Sequence, residues 1–292
     1  MDFSKIKGKI FINNKFYSSN FAKIHILNHS LHFSGSVFEG IRVYKKKILF
    51  LEEHIDRLII SSEMMKLNLN INKKEIMNIC EKIIKLNKIS DGYIRPIVFR
   101  SNNSMSPDIS NCTAELAIAA WKWGNLYKKK KLKIDISKYL KPDNKFFPIE
   151  AKSSGSYQGV LVAKEIAREK GYDDILLLDR FNYLKETSAC NIFWIKKNTV
   201  YTPRTNNILN GITRRCVIKI CRKNKIKIKE GDFKLKDLKN ARNMFLTGTA
   251  AEIVSVWKFR NKVFKKDCKI LNDIKESYNL IKKSGISKIS EF

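Results

Sequence analysis

Short apolar runs of strand length alternate with amphipathic segments of helical spacing along this whole 292-residue chain. Lys9–Asn13, Gly40–Tyr44, Tyr93–Phe99, Ala114–Ala120, Leu132–Ile136, Ile175–Leu178, Asn191–Ile195 and Met244–Leu246 read as strands. The second of these turns through Lys45–Lys47 into a further run, Ile48–Phe50. Leu51–Leu67, Lys73–Leu86, Tyr157–Lys170 and Ile212–Arg222 read as helices, the third closed by Gly171. Such a mixture places the chain in the α+β class. No internal repeat divides it. The basic, polar stretch 125–131 is the best linker. The expected organisation is a small N-terminal α+β domain over 1–124 and a larger C-terminal domain over 132–292. Ligand sites are expected where two such domains meet.

Composition narrows the function classes. No apolar run approaches the roughly 20 residues of a membrane helix. No apolar segment comes after Met1-Asp2-Phe3-Ser4-Lys5, so no secretory signal is expected and a cytoplasmic home is the default. The six cysteines are scattered without a C-x-x-C pair, which points to reduced thiols rather than disulfides or a zinc ribbon. The 58 Lys and Arg against 28 Asp and Glu give a net charge of +30, a level that raises nucleic-acid binding. Here the lysines are spread along the chain among abundant Ile, Asn, Phe and Tyr, the residues of AT-rich codons. No helix-turn-helix, zinc finger or ribonucleoprotein aromatic pattern accompanies them. The charge reads as a solvated surface, and no specific nucleic-acid partner is expected.

One lysine stands apart because of the motifs downstream of it. Lys152 lies in the turn-rich stretch Pro148–Tyr157, and Glu186 lies in a polar break between apolar strands, Tyr183–Asn191. Leu209-Asn210-Gly211-Ile212-Thr213 then opens a helix, and Thr247–Glu252 continues an apolar strand with small residues. Pyridoxal phosphate (PLP) needs an amine for its aldehyde, a negative charge at its pyridine nitrogen, a phosphate cup and a polar group at its ring hydroxyl. Lys152, Glu186, the helix start at Gly211-Ile212-Thr213 and Tyr157 match that set in order. Free N–H groups at a helix start attract phosphate, and glycine lets the backbone come close. Thr249 and the neighbouring amides suit a second anion, phosphate or carboxylate. His25, His29 and His32 fall at helical i, i+4, i+7 spacing that could suit zinc, but no metal role is assigned to them.

Several longer runs carry a family resemblance: His29–Arg42 with its core Ser36-Val37-Phe38-Glu39-Gly40-Ile41-Arg42, Tyr93-Ile94-Arg95-Pro96, Leu209–Thr213 and Gly248–Ile253. From about Lys9 to about Val256 the sequence resembles the bacterial branched-chain amino acid aminotransferases, PLP enzymes of fold type IV (class IV aminotransferases). It is less similar to two other class IV groups, the D-amino-acid aminotransferases and aminodeoxychorismate lyases. The resemblance implies a D-amino-acid-aminotransferase-like fold whose larger domain contains a pseudo-barrel. It implies transamination of Leu, Ile or Val with 2-oxoglutarate, the last reaction of their biosynthesis, yielding glutamate. Lys152 would carry the cofactor and move the proton. Arg57, Tyr157, Glu186, Leu209, Ile212, Thr213 and Thr249 would bind PLP. Phe38, Tyr93 and Trp123 would line the side-chain pocket. Arg95 would help receive the second carboxylate of glutamate, and the Thr249 and Ala250 amides would hold the α-carboxylate. At least a homodimer is implied, with a hexamer as the larger alternative.

The match has departures. Ser153, Ser154 and Ser156 replace Gly and Asn usual after the lysine, and the turn after Glu186 lacks its usual glycines. Phe33 stands for a pocket tyrosine, Ser106 for a glycine, and the tail after Val256 matches poorly. A Cβ forced into positive φ would cost on the order of 1 kcal/mol. A basic nucleic-acid-binding protein is the rival expectation from another class, and a decayed enzyme that keeps only the fold is a second rival.

Overall fold

The computed structural model describes residues 6–101, 104–124, 126, 127, 129 and 131–292. Asn125, Lys128 and Lys130 of the expected linker lie outside the described residues. The chain forms two compact units that are not contiguous in sequence. The first comprises Met1–Gly124, Ala151–Gly155 and Lys282–Phe292; the second comprises Asn125–Glu150 and Ser156–Ile281.

The first unit contains β1 (Lys9–Ile12), β2 (Lys15–Ser18), α1 (His29–Phe33), β3 (Ser36–Phe38), β4 (Ile41–Tyr44), β5 (Lys47–Ile48), α2 (Leu51–Met64), α3 (Lys73–Leu86), β6 (Gly92–Arg100) and β7 (Ala114–Lys122). These strands make one sheet in the order β2-β1-β7-β6-β4-β5, with β3 also on β6. Ile55 and Leu58 of α2 and Ile76, Cys80 and Ile83 of α3 pack with Ile41, Ile94, Val98 and Ile118 of the sheet. A reciprocal cap starts α3: Asn72 accepts from the Glu75 N–H, and Glu75 accepts from the Asn72 N–H, both at 3.0 Å. Two expectations shift by a few residues. Helix α2 stops at Met64 because Lys66 turns to φ +54° and Leu67 N–H donates back to Ser62 O at 2.8 Å. The strand expected through Phe50 ends at Ile48, since Phe50, also at φ +54°, redirects the chain into α2.

The second unit contains β8 (Lys131–Ile136), α4 (Gln158–Glu169), β9 (Asp174–Leu178), β10 (Leu184–Thr187), β11 (Asn191–Lys196), β12 (Thr199–Pro203), α5 (Ile212–Lys223), β13 (Lys227–Gly231), β14 (Asn243–Gly248), β15 (Glu252–Phe259), β16 (Lys262–Val263) and most of α6 (Lys269–Ser284). Strands β10-β9-β8-β15-β14-β11 pair in sequence and β10 pairs again with β11, closing a six-stranded ring. Strands β12, β13 and β16 extend it. Parallel pairings β8/β9 and β8/β15 sit beside antiparallel ones elsewhere in the ring. This is the α+β fold with a pseudo-barrel in its larger part that the sequence suggests. No helix among the described residues is long and apolar enough to cross a membrane.

Buried strands read as continuous apolar runs: Ile175–Leu178 of β9 are all buried, following a buried Asp174 at the strand start. Trp194 is 1% exposed, stacks on Tyr201 at 5.6 Å and meets Phe233 edge-on at 4.9 Å. Five of the six cysteines are buried, and burial pushes the Cys216 and Cys221 thiols up to about 12, which leaves them inert. Trp194→Ala removes the largest side chain of this core. It should lower the unfolding free energy by about 3–5 kcal/mol, read as an earlier urea midpoint with unchanged slope.

Candidate active site

Lys152 belongs to the first unit through its backbone. Phe38 N–H donates to Lys152 O at 3.0 Å, Lys152 N–H donates to Ser61 Oγ at 3.1 Å, and Ser153 bridges Val37 antiparallel. The lysine segment is thus an added edge on β3. The ammonium of Lys152 sits 4.9 Å from the Phe38 ring centroid. Phe38 also receives the Arg95 guanidinium at 4.6 Å, and Tyr93 receives it at 5.5 Å. Tyr93 packs edge-on against Trp123 at 4.7 Å. Phe38, Tyr93, Arg95 and Trp123 therefore form one aromatic and cationic cluster. Gly40 makes room for it: a Cβ there would lie 1.6 Å from the Tyr93 hydroxyl. The buried Nε of Arg95 finds no hydrogen-bond partner among the described residues, as expected of a guanidinium waiting for an external carboxylate.

Arg57 is held by a side chain to which the sequence motifs assign no role. Glu39 is fully buried and accepts from Arg57 Nε at 2.5 Å, Arg57 Nη2 at 3.0 Å, His54 Nδ1 at 2.6 Å and Gly40 N–H at 3.1 Å. Burial alone would raise the Glu39 carboxyl. The Arg57 charge, with the hydrogen bonds from Arg57 and His54, holds it well below the usual carboxylate range. Burial pushes the His54 imidazole below its ordinary value, against the opposing pull of Glu39, and the charges of Arg57 and Lys152 add to the lowering. We therefore read His54 as a neutral donor and Glu39–Arg57 as the ion pair, because one cation already neutralises the buried carboxylate. His54 and Arg57 lie three residues apart on one face of α2, which is what aims both at Glu39.

The second unit carries the other candidates. Tyr157 ends a 3-10 turn, Ser154–Tyr157, and α4 begins one residue later at Gln158. Glu186 lies on β10 and is 7% exposed. Lys141 Nζ lies 2.8 Å from its Oε1, Leu209 N–H donates to the same oxygen at 3.4 Å, and Asn191 Nδ2 donates to Oε2 at 3.3 Å. Asn191 Nδ2 also donates to Leu209 O at 2.9 Å. Gly211 is the N-cap of α5 and offers no side-chain cap. A Cβ at Gly211 would lie 2.1 Å from Asn191 Oδ1. Ile212 and Thr213 form the buried first turn of α5, where N–H groups have no intrahelical partner. Thr249 and Ala250 are in the half-buried turn between β14 and β15, which closes with Glu252 at φ +58°. Leu126 N–H donates to Ala250 O at 3.3 Å, tying the linker to this turn.

The residues fit a phosphorylated pyridine cofactor and its acidic substrates. Within the second unit, the helix N-terminus and the anchored buried carboxylate are the complements that a phosphate and a pyridine nitrogen require. The serine departures are accommodated locally. Ser154 Oγ donates to Ser34 O at 2.7 Å and accepts from Ser36 Oγ at 2.9 Å. None of Ser153, Ser154 and Ser156 has positive φ, so the anticipated strain does not arise. The histidines depart from the expected helical spacing. Only His29 and His32 lie on α1, and their Nε2 atoms pair with Ser106 O and Ile26 O, each at 3.0 Å. His25 precedes the helix, its Nδ1 accepting from Leu27 N–H at 3.1 Å.

Comparison with known proteins agrees with this picture. The family Amino-transferase class IV matches residues 36–259. A protein of Rickettsia felis described as "Probable branched-chain-amino-acid aminotransferase" is 35% identical over 275 residues, covering 93% of this chain and 95% of its own. The branched-chain aminotransferase of Thermoproteus uzoniensis, solved with norvaline, superposes with a TM-score of 0.92 at 28% identity, over 97% of both chains. A T.th. branched-chain aminotransferase with pyridoxamine 5'-phosphate gives 0.91 at 28% identity, covering 98% of this chain and 97% of that one. This chain belongs to the class IV aminotransferases, and its fold is that of fold type IV. A coverage of 97% carries the structural likeness into the segment after Val256, where the sequence motifs fade.

The Glu39 network generates a test. Glu39→Gln leaves Arg57 without its buried counter-charge and should cost about 3 kcal/mol at neutral pH. The folded protein holds Glu39 ionised, so this contribution is fully present above about pH 4.5, its ordinary value, and is lost as pH falls below that. Urea titrations of both proteins from pH 7 to pH 3 should show a gap that is constant at first and then narrows with acid.

Proposed function

We propose that this protein is a PLP-dependent branched-chain amino acid aminotransferase, moving the amino group of Leu, Ile or Val to 2-oxoglutarate. The observation that carries the reading is the joint presence of the Lys152 segment on β3 and the anchored Glu186 carboxylate beside the open start of α5. When bound, PLP supplies an aldehyde for amino exchange and a ring that accepts electrons from the substrate α-carbon.

The residues then divide the work. Lys152 would hold the cofactor through its amine and would move the proton at the substrate α-carbon. Glu186 would pair with the pyridine nitrogen, Tyr157 with the ring hydroxyl, and Leu209 would pack on the ring. Arg57, the Ile212 and Thr213 amides and Thr249 would bind the phosphate. The Thr249 and Ala250 amides orient the substrate α-carboxylate. Phe38, Tyr93 and Trp123 offer an apolar wall to a branched side chain, and Arg95 lies at its edge for the second carboxylate of glutamate. One pocket can thus accept both an aliphatic and an acidic side chain.

The working form is a homo-oligomer, a dimer at least. Phe21, Ile26 and Leu31, at 77%, 68% and 56% exposed, lie within eleven residues of one another in the first unit and suit burial against a second copy. The compartment is the cytoplasm, whose reducing conditions suit six free cysteines.

Two measurements test these readings. Purified protein with PLP should show a visible absorption band that falls on adding L-leucine and returns with 2-oxoglutarate, and Lys152→Ala should lack the response. A protein without the band and without a leucine response is one that keeps the fold alone. Sedimentation should give at least twice the 34.0 kDa chain mass, and Phe21→Glu with Ile26→Glu should lower it; a monomer would refute the assembly.

A further inference from the structure

Lys141 has no place among the roles assigned to the other site residues, yet it is among the most deeply buried lysines of the described chain. Its side chain is 8% exposed and Nζ lies 2.8 Å from Glu186 Oε1, itself on a side chain 10% exposed. A lysine ammonium is rarely taken out of water, and an ion pair at such depth seldom stabilises a fold beyond what apolar residues would do. Lys141 is fixed by backbone, since its N–H donates to Leu178 O on β9 at 2.8 Å. The neighbouring strand β10 carries Glu186. Two adjacent ring strands thus hold the cation and the carboxylate in register.

The contacts of Glu186 are asymmetric. Oε1 takes two donors, Lys141 Nζ at 2.8 Å and the Leu209 N–H at 3.4 Å, whereas Oε2 takes one, Asn191 Nδ2 at 3.3 Å. A carboxylate oxygen accepts two hydrogen bonds readily. Oε1 is saturated by these two donors, and Oε2 keeps capacity for a further donor. We propose that Lys141 is a positioning residue of the reaction: it fixes Glu186 through Oε1 as a correctly turned acceptor, leaving Oε2 for the pyridine N–H of the cofactor. This rests on the reading of Glu186 as the partner of the ring nitrogen. Without Lys141, the Glu186 carboxylate would lose its charged anchor at 2.8 Å and its fixed turn toward the ring nitrogen. The ring would then be a weaker electron acceptor.

The test compares Lys141→Gln, Lys141→Arg, Glu186→Gln and the Lys141→Gln/Glu186→Gln double variant with the parent protein. Each is reconstituted with PLP carrying ¹⁵N in the ring, and the ring ¹⁵N chemical shift and the PLP dissociation constant are measured. In the parent the shift should be that of a protonated ring nitrogen. Lys141→Gln should move it toward the unprotonated value, and Lys141→Arg should restore it. The double variant should match Glu186→Gln alone in shift and in PLP affinity, because Lys141 acts only through Glu186. If Glu186→Gln moves the shift and folded Lys141→Gln does not, the role of Lys141 is overturned while that of Glu186 stands. If neither moves it, the reading of Glu186 is what fails, and the proposal falls with it. Should Lys141→Gln not fold, the double variant, which buries no lone charge, decides. PLP binding more than roughly 10-fold weaker than that of Glu186→Gln alone, the worth of a hydrogen bond to a charged group, would show that Lys141 acts independently and would overturn the proposal.

Discussion

The barrel of the second unit closes at one residue pair, and that pair includes a candidate site residue, Glu186. Strands β10 and β11 meet through Glu186 and Asn191, joined by the tight return in which Thr187 N–H donates to Cys190 O at 2.8 Å. The Asn191 amide then reaches both the Glu186 carboxylate and the Leu209 carbonyl, so ring closure, the carboxylate and the approach to α5 share one side chain. Gly211 belongs to the same arrangement, because any Cβ there would collide with the Asn191 side chain. A misregistered strand would displace all of these at once. Register in a closed sheet is set by packing on both faces, so the apolar core around Trp194 and Leu246 indirectly positions the polar groups.

Burial of charge obeys one logic in both units. Glu39 is held by Arg57 and His54, Glu186 by Lys141, Lys185 by Asp179 at 3.0 Å, and Arg214 by Glu230 at 2.7 Å. Each pair costs desolvation and is weak support for stability in itself. Two of the four hold residues with a proposed role toward the cofactor, Arg57 and Glu186. Here the cost is offset by a function that needs a fixed charge in a dry setting, where electrostatic interactions are strong. The net charge of +30 is a different matter. It lies mainly on exposed lysines, where water screens it.

Much of this is legible in the sequence, because the strand and helix periods are strong and the motif residues come in a fixed order. Lys152, Glu186 and the Gly211-Ile212-Thr213 helix start are weak signals singly and are read from the set, its order and the family resemblance. The partners of these residues are not read in this way. Lys141 is one lysine among many in a polar stretch, and nothing in its neighbourhood marks it as buried. Asn191 looks like an ordinary strand start. Glu39 lies inside a recognised run, yet its contact with His54 and Arg57 depends on how α2 crosses the sheet, which local pattern does not encode. The bounds of α2 and β5 depart from the periodicity for a related reason: Phe50 and Lys66 adopt positive φ without being glycine, held there by surrounding hydrogen bonds. Discontinuity of the units is equally invisible, since no composition shift marks residues 151–155.

That short segment explains how a serine-rich turn can serve where small, flexible residues are usual. Its conformation is imposed from outside, by β3 through Phe38 and Val37 and by α2 through Ser61. The serine hydroxyls then add bonds to Ser34 and Ser36 instead of competing with the backbone. Ser34 takes the left-handed turn, φ +53°, at the C-terminal end of α1. Strain is therefore placed one strand away from the lysine, on a helix cap that tolerates it. A lysine proposed to carry a cofactor needs a fixed backbone, and the clamping of 151–155 by β3 and α2 supplies it.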